Sequence, residues 1–361
     1  MQIGTIGLFQ KRGYDDSMTD SQVYKEEMAL ALQLEGQGYD SHWCVEHHFE
    51  DYSFCPDNTV YLSHLAAKTT HLKLATGAVI VPWNVPLRVA EKVALLDELS
   101  GGRVIFGMGR GLSRREYNQF GIDMDTSRDL FDEAAPMILE ALESGYIEGD
   151  GAHFKQPRAA IRPAPTRTFK GRTTQVAMSP DSALEAATHG AQMMIFNQKA
   201  IEDHEADFAP YRARFKELHG REAPPPLMAG ITVVHEDAGK AEELARKHIA
   251  GYLMTVMHHY ELMGEHFKSA KGYEAYGDAV DVMKEAGLEA VAEAYMDSQA
   301  WGTPQMVLDK LNAWREVVGD FDLIFGFRAA GCKFEDAERS QRLMAEKVIP
   351  QLRRWDSAKA A

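Results

Sequence analysis

The sequence has no apolar run approaching the roughly twenty residues that span a bilayer, and only three cysteines among 361 residues. The first absence argues against a membrane-spanning helix. The odd cysteine count (Cys44, Cys55, Cys332) fits no zinc spacing and points to a reducing compartment. Positive charge is also scarce: 39 Lys and Arg against 54 Asp and Glu leave a formal net charge of −15. Such a surface repels nucleic acid and anionic membrane, so neither is an expected partner. An anionic ligand would need a local group of arginines acting against the overall field. The opening MQIGTIGLFQKRG lacks a basic region before its short apolar stretch and reads as a strand, not a signal peptide, so a cytoplasmic location is expected. With no internal repeat, low-complexity tract or clear linker, 1–361 is read as one domain.

Hydrophobic residues make up 45% of the chain, enough for a large core. Short β-rich runs at 2–9, 40–45, 72–81, 103–109, 174–178, 192–197, 227–234 and 321–327 are separated by helix-like segments, among them 21–37, 58–70 and 86–99. Most of these runs are continuously apolar, as strands buried on both faces of a parallel sheet must be. Eight β/α units in this length predict an α/β fold, a TIM (β/α)8 barrel, with a doubly wound sheet as the alternative. Two intervals are too long for plain crossovers: 110–173, which carries the hairpin-like GYIEGDGAHFKQPRAAIRP, and 236–320. Insertions are therefore expected after strands 4 and 7.

Loops at the carboxyl ends of barrel strands carry chemistry. That rule gathers His47 and His48 (after strand 2), Arg110 (after strand 4) and Ser179 and Ser182 (after strand 5) around one mouth. In GMGRGLSRREYNQFG, Gly107 and Gly109 begin a dinucleotide fingerprint, but Leu112 stands where its third glycine belongs, and no clean amphipathic helix follows. The small residues with Arg110 better suit a backbone approaching a phosphate, with Arg128 at the start of the next helix as a second cation. Ordinary surface arginines remain the alternative. Ser179 reads as a helix N-cap with Pro180 in the first position, a ready anion site or a plain cap. In and just before WCVEHHFEDYSF (43–54), residues His42, Cys44, Glu46 and His48 alternate and could share a face, but no His-x-His, His-x-x-Glu-His or Cys-x-x-Cys pattern supports a metal, and none is expected. A histidine at a barrel mouth suits acid–base work or cofactor contact, or is a structural hydrogen-bonder. The aromatic, glycine-containing segment 257–277 is a candidate lid, a buried excursion or an oligomer contact.

Taken together, EHHFEDYSF (46–54), LATGAVIVPWNVPLRVAEKVALLDELSGGRVIFGMGRGL (74–112), FGIDMDTSR (120–128) and VAMSPDSALEAATHG (176–190) resemble the bacterial luciferase-like family of flavin-dependent monooxygenases. The resemblance covers most of the chain and is densest over 40–190. It is nearer the catalytic luciferase subunit than its inactive partner, which lacks the double histidine and the arginine of GRG. It implies a TIM barrel binding FMN at its mouth, used as FMNH2 from a separate flavin reductase, with O2 as co-substrate and a C4a-peroxyflavin that oxygenates a small organic substrate. It places the FMN phosphate at Arg110, Arg128, Ser179 and Ser182, with Met178 and Gly109 also at the cofactor. His47 is implied as the catalytic histidine with Glu46 beside it, and Gly77–Ala78 as a non-proline cis peptide under the flavin. A homodimer is expected by the same resemblance. Two departures stand out: Gly109 occupies the place of a reactive luciferase cysteine, and IFNQ replaces a tryptophan-bearing segment at the end of strand six. Competing readings are a deazaflavin-dependent dehydrogenase on the same fold, a non-catalytic flavin-binding partner subunit, and a metallohydrolase barrel.

Overall fold

The structure, a computed structural model, describes residues 1–268, Tyr273 and 284–357. Its strands in chain order are β1 (Ile3–Gly7), β2 (Ser41–Cys44), β3 (Lys73–Thr76), β4 (Val79–Ile80), β5 (Val104–Gly109), β6 (Tyr146–Asp150), β7 (Lys155–Ala160), β8 (Thr173–Val176), β9 (Gln192–Phe196), β10 (Leu227–Ile231) and β11 (Asp322–Gly326). Parallel pairings run β1–β2, β2–β3, β3–β5, β5–β8, β8–β9, β9–β10 and β10–β11, and β11 returns to β1 with Ile3 opposite Leu323. The eight-stranded barrel closes, as the alternation of strand and helix predicts. The doubly wound alternative is excluded, because the β1–β11 and β3–β5 pairings give each of the eight strands two parallel neighbours and leave no edge. Every residue of β1 and β11 is buried, which is why these runs show no polar alternation.

Both insertions lie where expected. The first, after β5, holds helices Arg114–Phe120 and Ser127–Ser144 and then the antiparallel β6–β7 hairpin. The second, after β10, holds helices Ala238–His259, Leu288–Asp297 and Pro304–Val318. Part of the candidate lid, 269–272 and 274–277, lies outside the described residues.

Four local expectations are corrected. The helix expected over 21–37 is two, Asp20–Ala31 and Leu34–Gln37, the second ended by Gly38 in the left-handed region. The helix over 58–70 stops at Ala66. The run 72–81 is not one strand: the chain breaks at a cis Gly77–Ala78 bond and resumes as β4. The stretch after Gly111, which shows no clean amphipathic pattern, forms the seven-residue helix Arg114–Phe120 on a Ser113 cap. Tertiary contacts and the cap carry so short a helix where periodicity gives no signal.

One glycine sets how closely two barrel strands approach. The Thr76 hydroxyl donates to the Gly107 carbonyl (2.7 Å) and accepts from the Gly107 N–H (2.8 Å), so a side chain continues the β3–β5 seam. A Cβ at Gly107 would lie 1.9 Å from the Thr76 carbonyl oxygen, which is backbone and has no rotamer to escape into. Gly107→Ala is therefore expected to destabilise the fold by roughly 3 kcal/mol, the upper part of the usual cost of overpacking. Urea unfolding checks this; an unchanged midpoint would contradict the close approach.

Candidate active site

The carboxyl ends of the barrel strands open into a cavity with about 1520 Å³ of space unfilled by protein, its opening included. Glu46, His47, Gly77, Ala78, Gly109, Arg110, Met178, Ser179 and Ser182 all line it. Arg128, at the start of helix Ser127–Ser144, stands behind the lining, its guanidinium 3.8 Å from the carboxylate of the lining residue Glu185.

One side of the cavity is cationic and donor-rich. Helix Pro180–Thr188 begins there with a reciprocal cap: Ser182 N–H donates to the Ser179 hydroxyl (3.3 Å) and Ser179 N–H to the Ser182 hydroxyl (3.0 Å). The helix N-terminus and its two hydroxyls face the lining. Arg110 leaves β5 through Gly111, whose φ of +81° is a left-handed conformation that an L side chain resists. The Arg110 guanidinium lies 4.1 Å over the Tyr273 ring, and the Tyr273 hydroxyl donates to the Gly111 carbonyl (2.8 Å), fixing this corner from the second insertion. One turn into the helix, burial first and Asp132 second raise the Glu185 carboxyl to about 8, against the opposing pull of Arg128 and Arg110. A neutral Glu185 at pH 7 leaves the positive field of this side intact.

The floor is small and flat. The Gly77 N–H donates to the Cys44 carbonyl (2.8 Å), and the Asn58 amide donates to the Cys44 and Ala78 carbonyls (3.2 and 3.1 Å), holding both sides of the cis bond. A Cβ on Gly109 would sit 3.4 Å from the Ala78 Cβ, an ordinary contact, so glycine here keeps space open rather than relieving a clash.

His47 stands on another wall. Its Nδ1 is 3.2 Å from Glu116 Oε1 and its Nε2 is 3.3 Å from the Tyr260 hydroxyl. The His48 N–H donates to the same Glu116 oxygen (2.7 Å). Burial alone would raise the Glu116 carboxyl, but the charge and hydrogen bond of His47 and the close approach of His259 (3.4 Å) outweigh it and hold it at about 2. The carboxylate partner of His47 is therefore Glu116, while Glu46 borders the same cavity. Glu46 is turned away, accepting from the Ile80 N–H (2.8 Å) and the Asn84 amide (3.1 Å), so it braces the turn after β4 while still bordering the cavity.

Of the alternating residues His42, Cys44, Glu46 and His48, His48 Nε2 lies 3.6 Å from Glu46 Oε1, but the four do not gather into one set. His42 bonds Thr5 (2.9 Å) and Tyr61 (3.2 Å) inside the barrel wall, where burial lowers it to about 3. Cys44 faces Cys55 at 3.4 Å, and His48 packs on Phe120 and Trp83. Among the described residues, the group whose atoms come close enough to hold a metal is a different one, His47, Glu116 and His259.

Sequence reasoning missed Glu116, Tyr260, Tyr273, Glu185 and Asn58. Ser113-x-x-Glu116 has the spacing of a capping box, which sends the glutamate back to its own helix start. Ser113 does accept from the Glu116 N–H, but the carboxylate goes to the histidines instead. Tyr260 and Tyr273 come from the second insertion, far along the chain, with no motif to place them.

The sequence profile of the luciferase-like monooxygenases matches residues 1–320. The alkanal monooxygenase alpha chain of Photorhabdus luminescens is 27% identical over 340 residues, covering 93% of each chain. Among solved structures, the monooxygenase RslO1 from Streptomyces bottropensis superposes with a TM-score of 0.80 at 24% identity, covering 98% of this chain and all of that one. The FMN-bound oxygenating constituent of 3,6-diketocamphane monooxygenase from Pseudomonas putida gives 0.74 at 16%, covering 97% and 98%. A coenzyme F420-dependent tetrahydromethanopterin reductase from Methanopyrus kandleri gives 0.68 at 21%, covering 97% and 99%. At these identities the structures speak to fold alone, whereas the profile spans most of the chain. With a closed barrel, a histidine and a cationic, hydroxyl-lined corner at one mouth, and that match, the chain belongs to the luciferase-like monooxygenase family.

Proposed function

We propose that this chain is the oxygenating component of a two-component monooxygenase. It uses reduced FMN from a separate flavin reductase, together with O2, to oxygenate a small, uncharged, largely apolar molecule by Baeyer–Villiger insertion or hydroxylation. The carrying observation is that one cavity joins a cationic, hydroxyl-lined corner (Arg110, Ser179, Ser182, with Arg128 behind) to a histidine held by a carboxylate. The donor set fits FMN: two guanidinium groups, two hydroxyls and a helix N-terminus suit a phosphate, and Gly77, Ala78 and Gly109 leave a flat wall for a planar ring. Bound reduced flavin supplies the electrons and the site of O2 activation.

The chain's own part is to bind, shield and move a proton. Arg110 holds the phosphate end, and Arg128 behind it adds positive field. Leu8, Ile80, Phe196, Ile231 and Tyr252 line the cavity with apolar surface that excludes water and suits an uncharged substrate. His47 presents Nε2 towards Tyr260 and the cavity, while Glu116 holds Nδ1, so proton exchange with reactants falls to Nε2. The dinucleotide fingerprint that Gly107 and Gly109 begin is broken at Leu112, which supports a separate reductase.

The second reading, an F420-dependent dehydrogenase, is favoured by the shared fold of F420 enzymes. Side-by-side anaerobic binding of reduced FMN and F420 separates the two; tighter F420 binding would overturn the first.

Glu185 gives this reading a pH signature. Its carboxyl titrates at about 8, so it is neutral below that and charged above. The FMN phosphate is already a dianion above pH 7, having a second pKa near ~6. FMN affinity is therefore expected to fall roughly tenfold as pH rises from 7 to 9, the size of like-charge repulsion at a partly buried site. Glu185→Gln should flatten the profile. A flat wild-type profile would contradict the assignment.

The same chain is proposed to form a homodimer. Val60 (66% exposed) and Leu99 (62%), with Val85 and Leu95, leave apolar surface on and beside helices Asn58–Ala66 and Pro86–Ser100. Sedimentation velocity is expected to return a dimer, and a monomer would contradict this.

A further inference from the structure

Behind His47 a line of titratable side chains leads away from the cavity. Glu116 bridges two histidines, with Oε1 3.2 Å from His47 Nδ1 and Oε2 3.4 Å from His259 Nε2. The other nitrogen of His259, Nδ1, is 3.1 Å from Glu50 Oε2, and Glu50 Oε1 accepts from Arg115 at 2.6 Å. Exposure grades along the line: the Glu116 and His259 side chains are 1% and 0% exposed, Glu50 and Arg115 25% and 36%. The outer end borders a second recess, lined by Glu50, Arg115, Glu116, Asn118 and Gln119, which shares none of these residues with the main cavity. The His259 ring is fixed by stacking on Tyr52, at 4.2 Å between centroids and 11° between planes.

We propose that Glu116, His259 and Glu50 form a proton conduit linking Nδ1 of His47 to solvent in the second recess. This deepens the preceding reading and rests on it for the role of His47. In the outward direction, His47 takes a proton from the cavity at Nε2 and releases its Nδ1 proton to Glu116, which passes it to His259 Nε2. His259 releases its Nδ1 proton to Glu50, which gives it to solvent. One proton enters and one leaves, and no group changes net charge once both rings return to their starting tautomers. A buried Glu116 ionised between two histidines accepts from either side.

The arrangement separates two needs: the cavity can stay dry while its histidine remains in proton equilibrium with water.

The test uses flavin-free protein carrying 15N-histidine, so it does not depend on the cofactor reading. Water-saturation transfer to the His47 Nδ1 proton, assigned against a His47→Gln sample, reads its exchange with solvent. Breaking the line in Glu50→Gln or His259→Gln is expected to slow that exchange at least tenfold, with added imidazole restoring it in the Glu50 variant. A merely structural loosening would speed exchange instead. Unchanged or faster exchange in a folded Glu50→Gln protein would overturn the conduit. So would stoichiometric zinc or iron in the purified protein, bound at His47, Glu116 and His259, because a ligated set cannot relay protons. Slowed exchange in a protein that fails to bind reduced FMN would keep the conduit and remove the flavin reading, so the two stand or fall separately.

Discussion

Replacing His47 by alanine is expected to lower coupled oxygenation by roughly 10²–10⁴-fold, the usual contribution of a positioned acid or base, while leaving the affinity for reduced FMN near that of the wild type. The two effects separate because His47 and the cationic corner stand on different walls of the cavity. His47 is held by Glu116 at 3.2 Å and Tyr260 at 3.3 Å, and none of its polar contacts reaches Arg110, Ser179 or Ser182. Electrons would still pass from reduced flavin to O2 in the variant, so hydrogen peroxide should appear where product is lost. Peroxide yield and oxygen consumption, measured together, read this split. A variant that kept wild-type coupling would show that His47 is a structural hydrogen-bonder. Loss of flavin binding along with coupling would mean that the histidine organises the cavity rather than moving a proton.

Arg110→Ala is expected to act on binding. Loss of a charged hydrogen-bond partner costs about 1.5–3 kcal/mol, a roughly ten- to hundredfold weaker affinity for FMN. Arg110 should be the more sensitive of the two arginines. It lines the cavity directly and its guanidinium is held over Tyr273 at 4.1 Å, whereas Arg128 stands behind Glu185 at 3.8 Å. Arg110→Lys should recover only part of the loss, since an ammonium keeps the charge but not the planar fork. Fluorescence titration with FMN at fixed ionic strength checks both substitutions. An unchanged affinity in Arg110→Ala would refute the phosphate corner.

The barrel was legible in the sequence because its strands are buried on both faces and stand out as short apolar runs with helical spacing between them. The cavity lining from β3 to β8 was legible because each residue lies within a few positions of a strand end, where topology alone fixes which mouth it faces. What stayed hidden came from elsewhere in the chain. Tyr260, His259 and Tyr273 reach the site from the second insertion, and nothing local in MHHYELMGEHF marks which of its aromatic and imidazole rings turn inward. Glu116 was obscured for the opposite reason. Its local context, three residues after a serine, has a complete explanation as a helix cap, and only the tertiary fold shows the carboxylate spent on histidines instead. Glu46, next to His47 in sequence, borders the same cavity, but nothing in the sequence signals that its carboxylate accepts from Ile80 and Asn84. The break inside 72–81 was legible only through the family resemblance, since Gly77 and Ala78 carry no composition signal for it.

The measurement that tests the central claim most directly is an anaerobic titration of the wild-type protein with reduced FMN, followed by mixing with air. If the cavity holds the phosphate at Arg110 and Ser179 and shields the ring, reduced FMN binds stoichiometrically. Its reoxidation is then slower in the complex than free in buffer, with hydrogen peroxide released late. Absence of binding, or reoxidation at the rate of free reduced FMN, would contradict the proposed function.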